Sequence, residues 1–303
     1  LDCTLRDGGY YNNWNFSNEL IEDYLHTMDK LGVDYVEIGF RSLNIEGSKG
    51  PTAFSTDNFI NNLKNTKNLK LGIMINAGEL LKENTTNKLK KLFPNKKSKI
   101  SFVRLACHEH EVEKLKEIII FLKKRKLKIF INLMQISEYS KDDLLKRINY
   151  LKNTFTDVLY FADSLGNLDS EKIKKIIKIT NVNWNKPFGF HFHDNLSRAL
   201  DNSLFCINNG VKYIDSTVCG MGRGPGNLKT EYIINEIKNY RNPENKLKIL
   251  QDLISKHFKD LEKKYQWGTN IFYILSGKYS IHPTYIQQML SDSRYNNEEI
   301  FLA

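Results

Sequence analysis

Phe188-Gly189-Phe190-His191-Phe192-His193-Asp194-Asn195 is the stretch around which the rest of the chain is organised. On an extended backbone successive side chains point to opposite faces. Phe188, Phe190 and Phe192 therefore share one face, and His191 and His193 share the other. The aromatic face suits packing against helices. The other face presents two imidazoles side by side at the strand's end. Two ligands on a helix would be spaced i, i+4, so a gap of two demands a strand. Adjacent imidazoles on one buried face compete for hydrogen-bond partners and repel when protonated, and a cation relieves both problems. The bland alternative is a pair of core histidines. An HxH pair is weak by itself and becomes strong with an oxygen ligand from elsewhere.

Outward from this strand, strand and helix patterns alternate in both directions. Strands are expected at residues 1–5, 35–40, 69–76, 100–107, 128–135, 158–164, 187–194 and 213–218. Helices are expected at 18–31, 56–65, 79–92, 111–126, 141–153, 170–180, 197–208 and 230–240. Such alternation implies parallel strands with helical crossovers, and eight strands close into a (β/α)8 TIM barrel. Residues 243–303 carry helical patterns and no further strand. The expected organisation is a barrel catalytic domain over 1–240 and a small C-terminal helical appendage over 243–303. The chain of 303 residues, 41% hydrophobic and 12% aromatic, is ample for one large core.

The formal net charge is +10, which raises the question of nucleic acid. The lysines are interleaved with apolar residues at helical spacing, as in Lys172-Ile173-Lys174-Lys175, and read as a solvated surface; no nucleic-acid partner is expected. Cys3, Cys107, Cys206 and Cys219 form no CxxC pair, which fits a reducing cytoplasm. No run is apolar enough to span a bilayer, so no membrane association is expected. The sequence opens on Leu1 almost inside a motif, and residues upstream of it are expected.

In parallel barrels the chemistry sits at the C-terminal ends of the strands. The first strand ends at Arg6-Asp7. The second carries Glu37, Gly39 and Arg41 on one face, expected to point inward. The fourth carries Arg104 and His108, the sixth ends at Asp163-Ser164, and the eighth runs into Gly222-Arg223-Gly224-Pro225-Gly226-Asn227. Asp7 is the natural third ligand beside His191 and His193, with Asn227 a candidate fourth. Two imidazoles and a carboxylate leave open positions on Mn²⁺, Mg²⁺, Zn²⁺ or Co²⁺. Such an ion can chelate a 2-oxo acid and stabilise its enolate. Arg6 could place a guanidinium on the same oxygen, with Glu37 holding its plane; a rim ion pair is the structural alternative. Arg6, Arg104 and Ser164 are candidate substrate contacts. The glycine-rich loop lacks the P-loop spacing and its Lys-Ser/Thr, so close backbone approach to a ligand is the better reading.

Asp2-Cys3-Thr4-Leu5-Arg6-Asp7-Gly8, Val36-Glu37-Ile38-Gly39, Asp163-Ser164-Leu165-Gly166-Asn167, His191-Phe192-His193-Asp194-Asn195 and Gly222-Arg223-Gly224-Pro225-Gly226-Asn227 resemble the DRE-TIM metallolyase superfamily. That group includes 4-hydroxy-2-oxovalerate aldolase, hydroxymethylglutaryl-CoA lyase and the isopropylmalate and homocitrate synthases. The resemblance implies a divalent metal, manganese first, on Asp7, His191 and His193, with Asn227 a ligand in some branches. It implies that Arg6 stabilises the enolate and Glu37 supports it. The synthases carry a Gln two residues after the first motif's glycine and the aldolase a His base there; this chain has Tyr10, a candidate proton carrier or a packing residue. Ala106-Cys107-His108-Glu109 resembles the aldolase branch. The implied function is a metal-dependent carbon–carbon lyase or aldolase acting on the enolate of pyruvate or another 2-oxo acid, with an aldehyde partner, in a homodimer or larger assembly. An acyl-CoA-dependent Claisen synthase and a non-catalytic metal-binding barrel are the alternatives. The tail is expected either to pack on the barrel or to cap the site, with Tyr273, Tyr279 or His282 contributing.

Overall fold

The structure is a computed structural model. It describes residues 1–44, 47–64, 66–95, 98–237 and 243–302, without the side chains of 243 and 244. The helix ends expected at Asn65 and Tyr240, the break expected after 240, and Ala303 lie outside the described residues.

Seven parallel strands form one sheet in sequential order: β1 (Tyr35–Phe40), β2 (Lys70–Asn76), β3 (Phe102–Cys107), β4 (Lys128–Leu133), β5 (Val158–Asp163), β6 (Phe188–Phe192) and β7 (Tyr213–Ile214). The expected first strand is reduced to a bridge. Asp2 pairs in parallel with Val36 on one side and Ser216 on the other. The Asp2 amide donates to Tyr35 O at 2.9 Å and the Cys3 amide to Ser216 O at 3.0 Å, so the two ends of the sheet are joined through residues 1–3. The extended run stops because the Asp2 carboxylate accepts from the Thr4 amide at 2.9 Å and the Thr4 hydroxyl at 2.6 Å. This local turn starts one helical turn at Thr4–Asp7. The last strand also ends earlier than expected, and Thr217 pairs instead with Lys229. The result is a curled parallel sheet with helices outside it, a TIM-like barrel.

Helices follow the strands as the apolar spacing predicts. Ser17, Thr56, Ser140 and Asp169 cap the helices Asn18–Leu31, Asp57–Asn62, Lys141–Lys152 and Ser170–Asn183 by accepting a backbone N–H. The helix expected over 79–92 is split into Ala77–Leu81 and Thr85–Leu92, with Asn84 between them in the left-handed region. Ile73, Val103, Ile129, Leu159 and Phe190 face the helices and are buried. Tyr35, Phe102, Phe130 and Tyr160 are buried inside the sheet, with Tyr213 packed against them. Phe102 and Phe130 stack with centroids 4.8 Å apart. Gly72 makes this floor possible, because a Cβ there would run into the Phe102 ring. With the N-terminal end plugged by aromatic rings, polar groups can gather only toward the C-terminal ends.

Beyond residue 242 lie the helices Pro243–Leu253, Lys259–Tyr265, Ile271–Lys278, Pro283–Ser291 and Asn297–Leu302. They are tied to the barrel loops. Trp267 Nε1 donates to Cys219 O at 2.9 Å, and Asn195 Nδ2 donates to Ser276 Oγ at 2.9 Å. Asn167 Nδ2 donates to Ser280 Oγ at 2.9 Å, and the Gly224 amide to Gln287 Oε1 at 2.9 Å. No described helix is long and apolar enough to cross a membrane.

Candidate metal centre and active site

Asp7, His191 and His193 converge: one ligand atom from each lies within 4.8 Å of the others, and all three residues are buried. The helical turn that ends the first extended run aims Asp7 inward, and β6 delivers the two imidazoles from its inner face. His191 Nε2 is 3.4 Å from Asp7 Oδ2. Asn227 joins through a short hydrogen bond from its amide to Asp7 Oδ2, and its backbone bridges that of His193.

A second group lies beneath these ligands. Arg6 Nη1 donates to Asp7 Oδ1 at 2.6 Å and Arg6 Nε to Glu37 Oε2 at 2.8 Å. Glu37 Oε1 is 3.0 Å from Arg104 Nε. Arg104 clamps Asp215 with two nitrogens at 2.5 and 3.1 Å, and Asp215 Oδ2 lies 3.0 Å from His191 Nδ1. The carboxylate must accept there, so Nδ1 carries a proton and Nε2 is the nitrogen that faces Asp7 and would be offered to a cation. Without one, burial lowers this imidazole, but Asp215 and Asp7 outweigh burial and hold it above its ordinary value.

The electrostatics follow from this chain of contacts. Burial by itself raises the Asp7 carboxyl, but the Arg6 guanidinium beside it outweighs that and holds it well below the ordinary carboxylate value. Burial drives His193 well below the ordinary imidazole value, aided by His191, Arg223 and Arg6, so the ring is neutral and able to ligate. Asp163 at the end of β5 is pushed up to about 7 by burial, against the amides of Leu168 and Asn167 that donate to it.

The donor set fits a divalent cation. His191 Nε2, His193 Nδ1 and Asn227 Oδ1 are buried without a hydrogen-bond partner, a costly condition that a ligated ion removes. The network's two guanidiniums face three carboxylates, and the surplus negative charge also calls for a cation. Cys3, His191 and Asp215 form a second cluster of similar size. There, however, Asp215 is committed to Arg104, and Cys3 Sγ donates to Ser216 O at 3.6 Å.

The other sequence candidates are placed differently. Tyr10 lies at the mouth, its ring 4.9 Å from Trp14 and 6.1 Å from Phe40. Ser164 Oγ accepts the Gln135 amide at 3.0 Å, tying the β4 and β5 loops together. Arg104 is wholly buried, its guanidinium 4.1 Å above the Tyr160 ring. Arg41, expected to point inward, does not. The β1–β2 register shifts between Glu37 and Phe40, so Phe40 turns inward to Met74 and Ala106 while Arg41 turns out to Asp57 at 2.9 Å. Such a slip swaps the two faces of a strand. Asp163-Ser164-Leu165-Gly166-Asn167 forms a turn with Gly166 at φ 60°, where a Cβ would collide with Asn195.

Asp215 and Arg223 were not singled out from sequence. Asp215 had a signal: it lies two residues after Tyr213 on the expected last strand and shares its inward face. Trp14 was likewise missed as an anchor; its Nε1 donates to Arg6 O at 2.8 Å.

A family model described as HMGL-like matches residues 1–256. A 4-hydroxy-2-oxovalerate aldolase of Geobacillus genomosp. 3 is 28% identical over 239 residues, 77% of this chain and 68% of that one. An oxaloacetate decarboxylase of Mycobacterium tuberculosis is 23% identical over 236 residues, again 77% and 68% of the two chains. Among solved structures, the N-terminal domain of a Bacteroides vulgatus protein named as an aldolase superposes with TM-score 0.87 at 29% identity, covering 99% of this chain and 98% of that one. A Bacillus subtilis HMG-CoA lyase superposes with TM-score 0.68 at 16% identity, covering 91% and 96%, a likeness of fold.

Proposed function

This chain belongs to the HMGL-like family of DRE-TIM metallolyases, and from that premise we propose that it makes or breaks a carbon–carbon bond beside the carbonyl of a 2-oxo acid, with Mn²⁺ as its ion. The observation that carries this reading is the convergence of Asp7, His191 and His193 with unpartnered buried nitrogens. The relatives named aldolase and oxaloacetate decarboxylase point the same way, since both reactions cleave a bond to the carbon next to a 2-oxo group. Asp7, His191 and His193, with Asn227 beside them, would hold a divalent ion, and that ion would supply Lewis-acid stabilisation of the oxyanion developing on the 2-oxo acid.

The chain's own residues do the rest. Glu37 and Asp7 fix the Arg6 guanidinium from two sides, leaving Nη2 free to donate to the developing oxyanion, an arrangement with no reorganisation cost at reaction. Arg104 positions rather than binds: through Asp215 it fixes the His191 tautomer, and through Glu37 it fixes Arg6. Tyr10, at the mouth, is assigned the proton that leaves or returns on the acceptor side. The helices beyond 242 complete the mouth by holding the loops that follow β5, β6 and β7.

Deuterium exchange into the methyl group of pyruvate tests the reading. Mn²⁺ is expected to stimulate it, and Arg6→Lys to slow it roughly 10²-fold or more. Absence of exchange by the folded protein with Mn²⁺, Mg²⁺, Zn²⁺ and Co²⁺ alike would overturn it.

A further inference from the structure

We propose that the second carbonyl substrate, the aldehyde added or released, carries an anionic group (phosphate or carboxylate), and that Arg223 binds it. The identity of that molecule as an aldehyde rests on the lyase reading above; the anion site does not.

Arg223 stands in the loop Gly222-Arg223-Gly224 after β7 and is half-buried. Among the described residues its guanidinium makes no ion pair or hydrogen bond, and its Nε is buried without a partner. Every other deeply placed guanidinium here is paired: Arg6 with Glu37, Arg41 with Asp57, Arg104 with Asp215. A buried unpaired donor is costly, and a ligand that supplies the acceptor removes that cost. The group lies over the Tyr10 ring at 5.2 Å.

Beside Arg223 opens a cavity of about 620 Å³, lined by Tyr10, Lys82, His108, His110 and Lys114 as well. Its carboxylates are spoken for. Glu79 accepts from Ser42 Oγ at 2.7 Å and the Leu43 amide at 3.1 Å, and Glu111 accepts the His108 amide at 2.8 Å. Those donors are neutral, so both carboxylates keep their charge, but neither pairs with a cation of this wall: Arg223, Lys82 and Lys114 have no carboxylate partner among the described residues and outnumber the two carboxylates. The loop is also held in place. The Gly224 amide donates to Gln287 Oε1 at 2.9 Å, Tyr11 Oη donates to Gly224 O at 2.8 Å, and a Cβ on Gly224 would press on Pro283. A guanidinium on an anchored loop, with its fork unused and a cavity before it, matches the planar two-donor recognition of phosphate or carboxylate.

Binding without turnover tests this. Calorimetry on the full chain would use glycerol 3-phosphate, glycerate and glycerol as unreactive probes. One or both anions are expected to bind saturably and glycerol not, and the comparison of the two separates phosphate from carboxylate recognition. Arg223→Gln should weaken the anion roughly tenfold or more, with Arg223→Lys intermediate. Affinity of the unaltered protein should fall as KCl rises from roughly 50 to roughly 500 mM. No anion binding, equal binding by a folded Arg223→Gln, or salt-independent binding would overturn the proposal; should Arg223→Gln not fold, Arg223→Lys and the salt series decide. Anion binding without pyruvate exchange would sink the lyase reading alone, and exchange without anion binding would sink this one alone.

Discussion

Glu37→Gln is the sharpest test of the buried network beneath the ligands. The side chain is fully buried, with Oε2 2.8 Å from Arg6 Nε and Oε1 3.0 Å from Arg104 Nε. Glutamine keeps the shape and removes the charge. Whichever way its amide is turned, an NH2 faces a guanidinium N–H, and one donor loses its acceptor. Arg6 retains Asp7 and Arg104 retains Asp215, so neither guanidinium is left wholly unpaired. Breaking one partner of a buried pair costs about 3–5 kcal/mol, and losing hydrogen bonds to charged groups costs about 1.5–3 kcal/mol each. With one hydrogen bond lost, the two estimates bracket roughly 1.5–5 kcal/mol, a large share of the roughly 5–15 kcal/mol typical of a folded protein. Urea unfolding followed by fluorescence of Trp14, Trp184 and Trp267, with a chelator present, reads the loss without any contribution from bound metal. A loss below about 1 kcal/mol would refute the reasoning, because Glu37 would then not be what holds the two guanidiniums together.

Three further outcomes follow from the same geometry. Asp215→Asn should weaken divalent-metal binding roughly 10–100-fold, since the His191 tautomer loses its fixed acceptor; calorimetric titration with Mn²⁺ checks it. Burial, with Arg223 and His108, pushes His282 down to about 4 from its ordinary 6.5. The unfolded chain therefore takes up a proton that the folded chain refuses, and the His282 contribution is present above about pH 6.5 and lost as pH falls toward 4. Melting temperatures measured across that window should fall less steeply for His282→Gln than for the unaltered chain. Gly72→Ala should destabilise by roughly 1–3 kcal/mol through overpacking against Phe102, read by urea unfolding.

Much of this architecture was legible in the residues. The FHFHD alternation placed two imidazoles on the inner face of β6, and apolar spacing placed strands β2 to β6. The motifs carried the family. Legibility failed where side chains redirect the backbone. Asp2 accepts from Thr4 and ends the first strand after a bridge, which no period of two reveals. The slip between Glu37 and Phe40 sent Arg41 outward, although the alternation of the sequence there is unbroken. Arg104 and Ser164 carry polar groups on the expected strands, yet Arg104 lies wholly buried under its carboxylates and Ser164 ties two loops together. Asp215 escaped notice because its partner Arg104 lies 111 residues away, and Arg223 because the ring it contacts, Tyr10 at 5.2 Å, comes from the far end of the chain and it has no ion pair among the described residues.

The central claim is that Asp7, His191 and His193 hold one divalent cation. Titration of chelator-treated protein with Mn²⁺, read by electron paramagnetic resonance, tests it most directly. The account predicts one bound Mn²⁺ per chain, with affinity reduced by roughly 10²-fold or more in Asp7→Asn and in His193→Gln. A folded protein that takes up no Mn²⁺, or that binds it equally well in both variants, would contradict it.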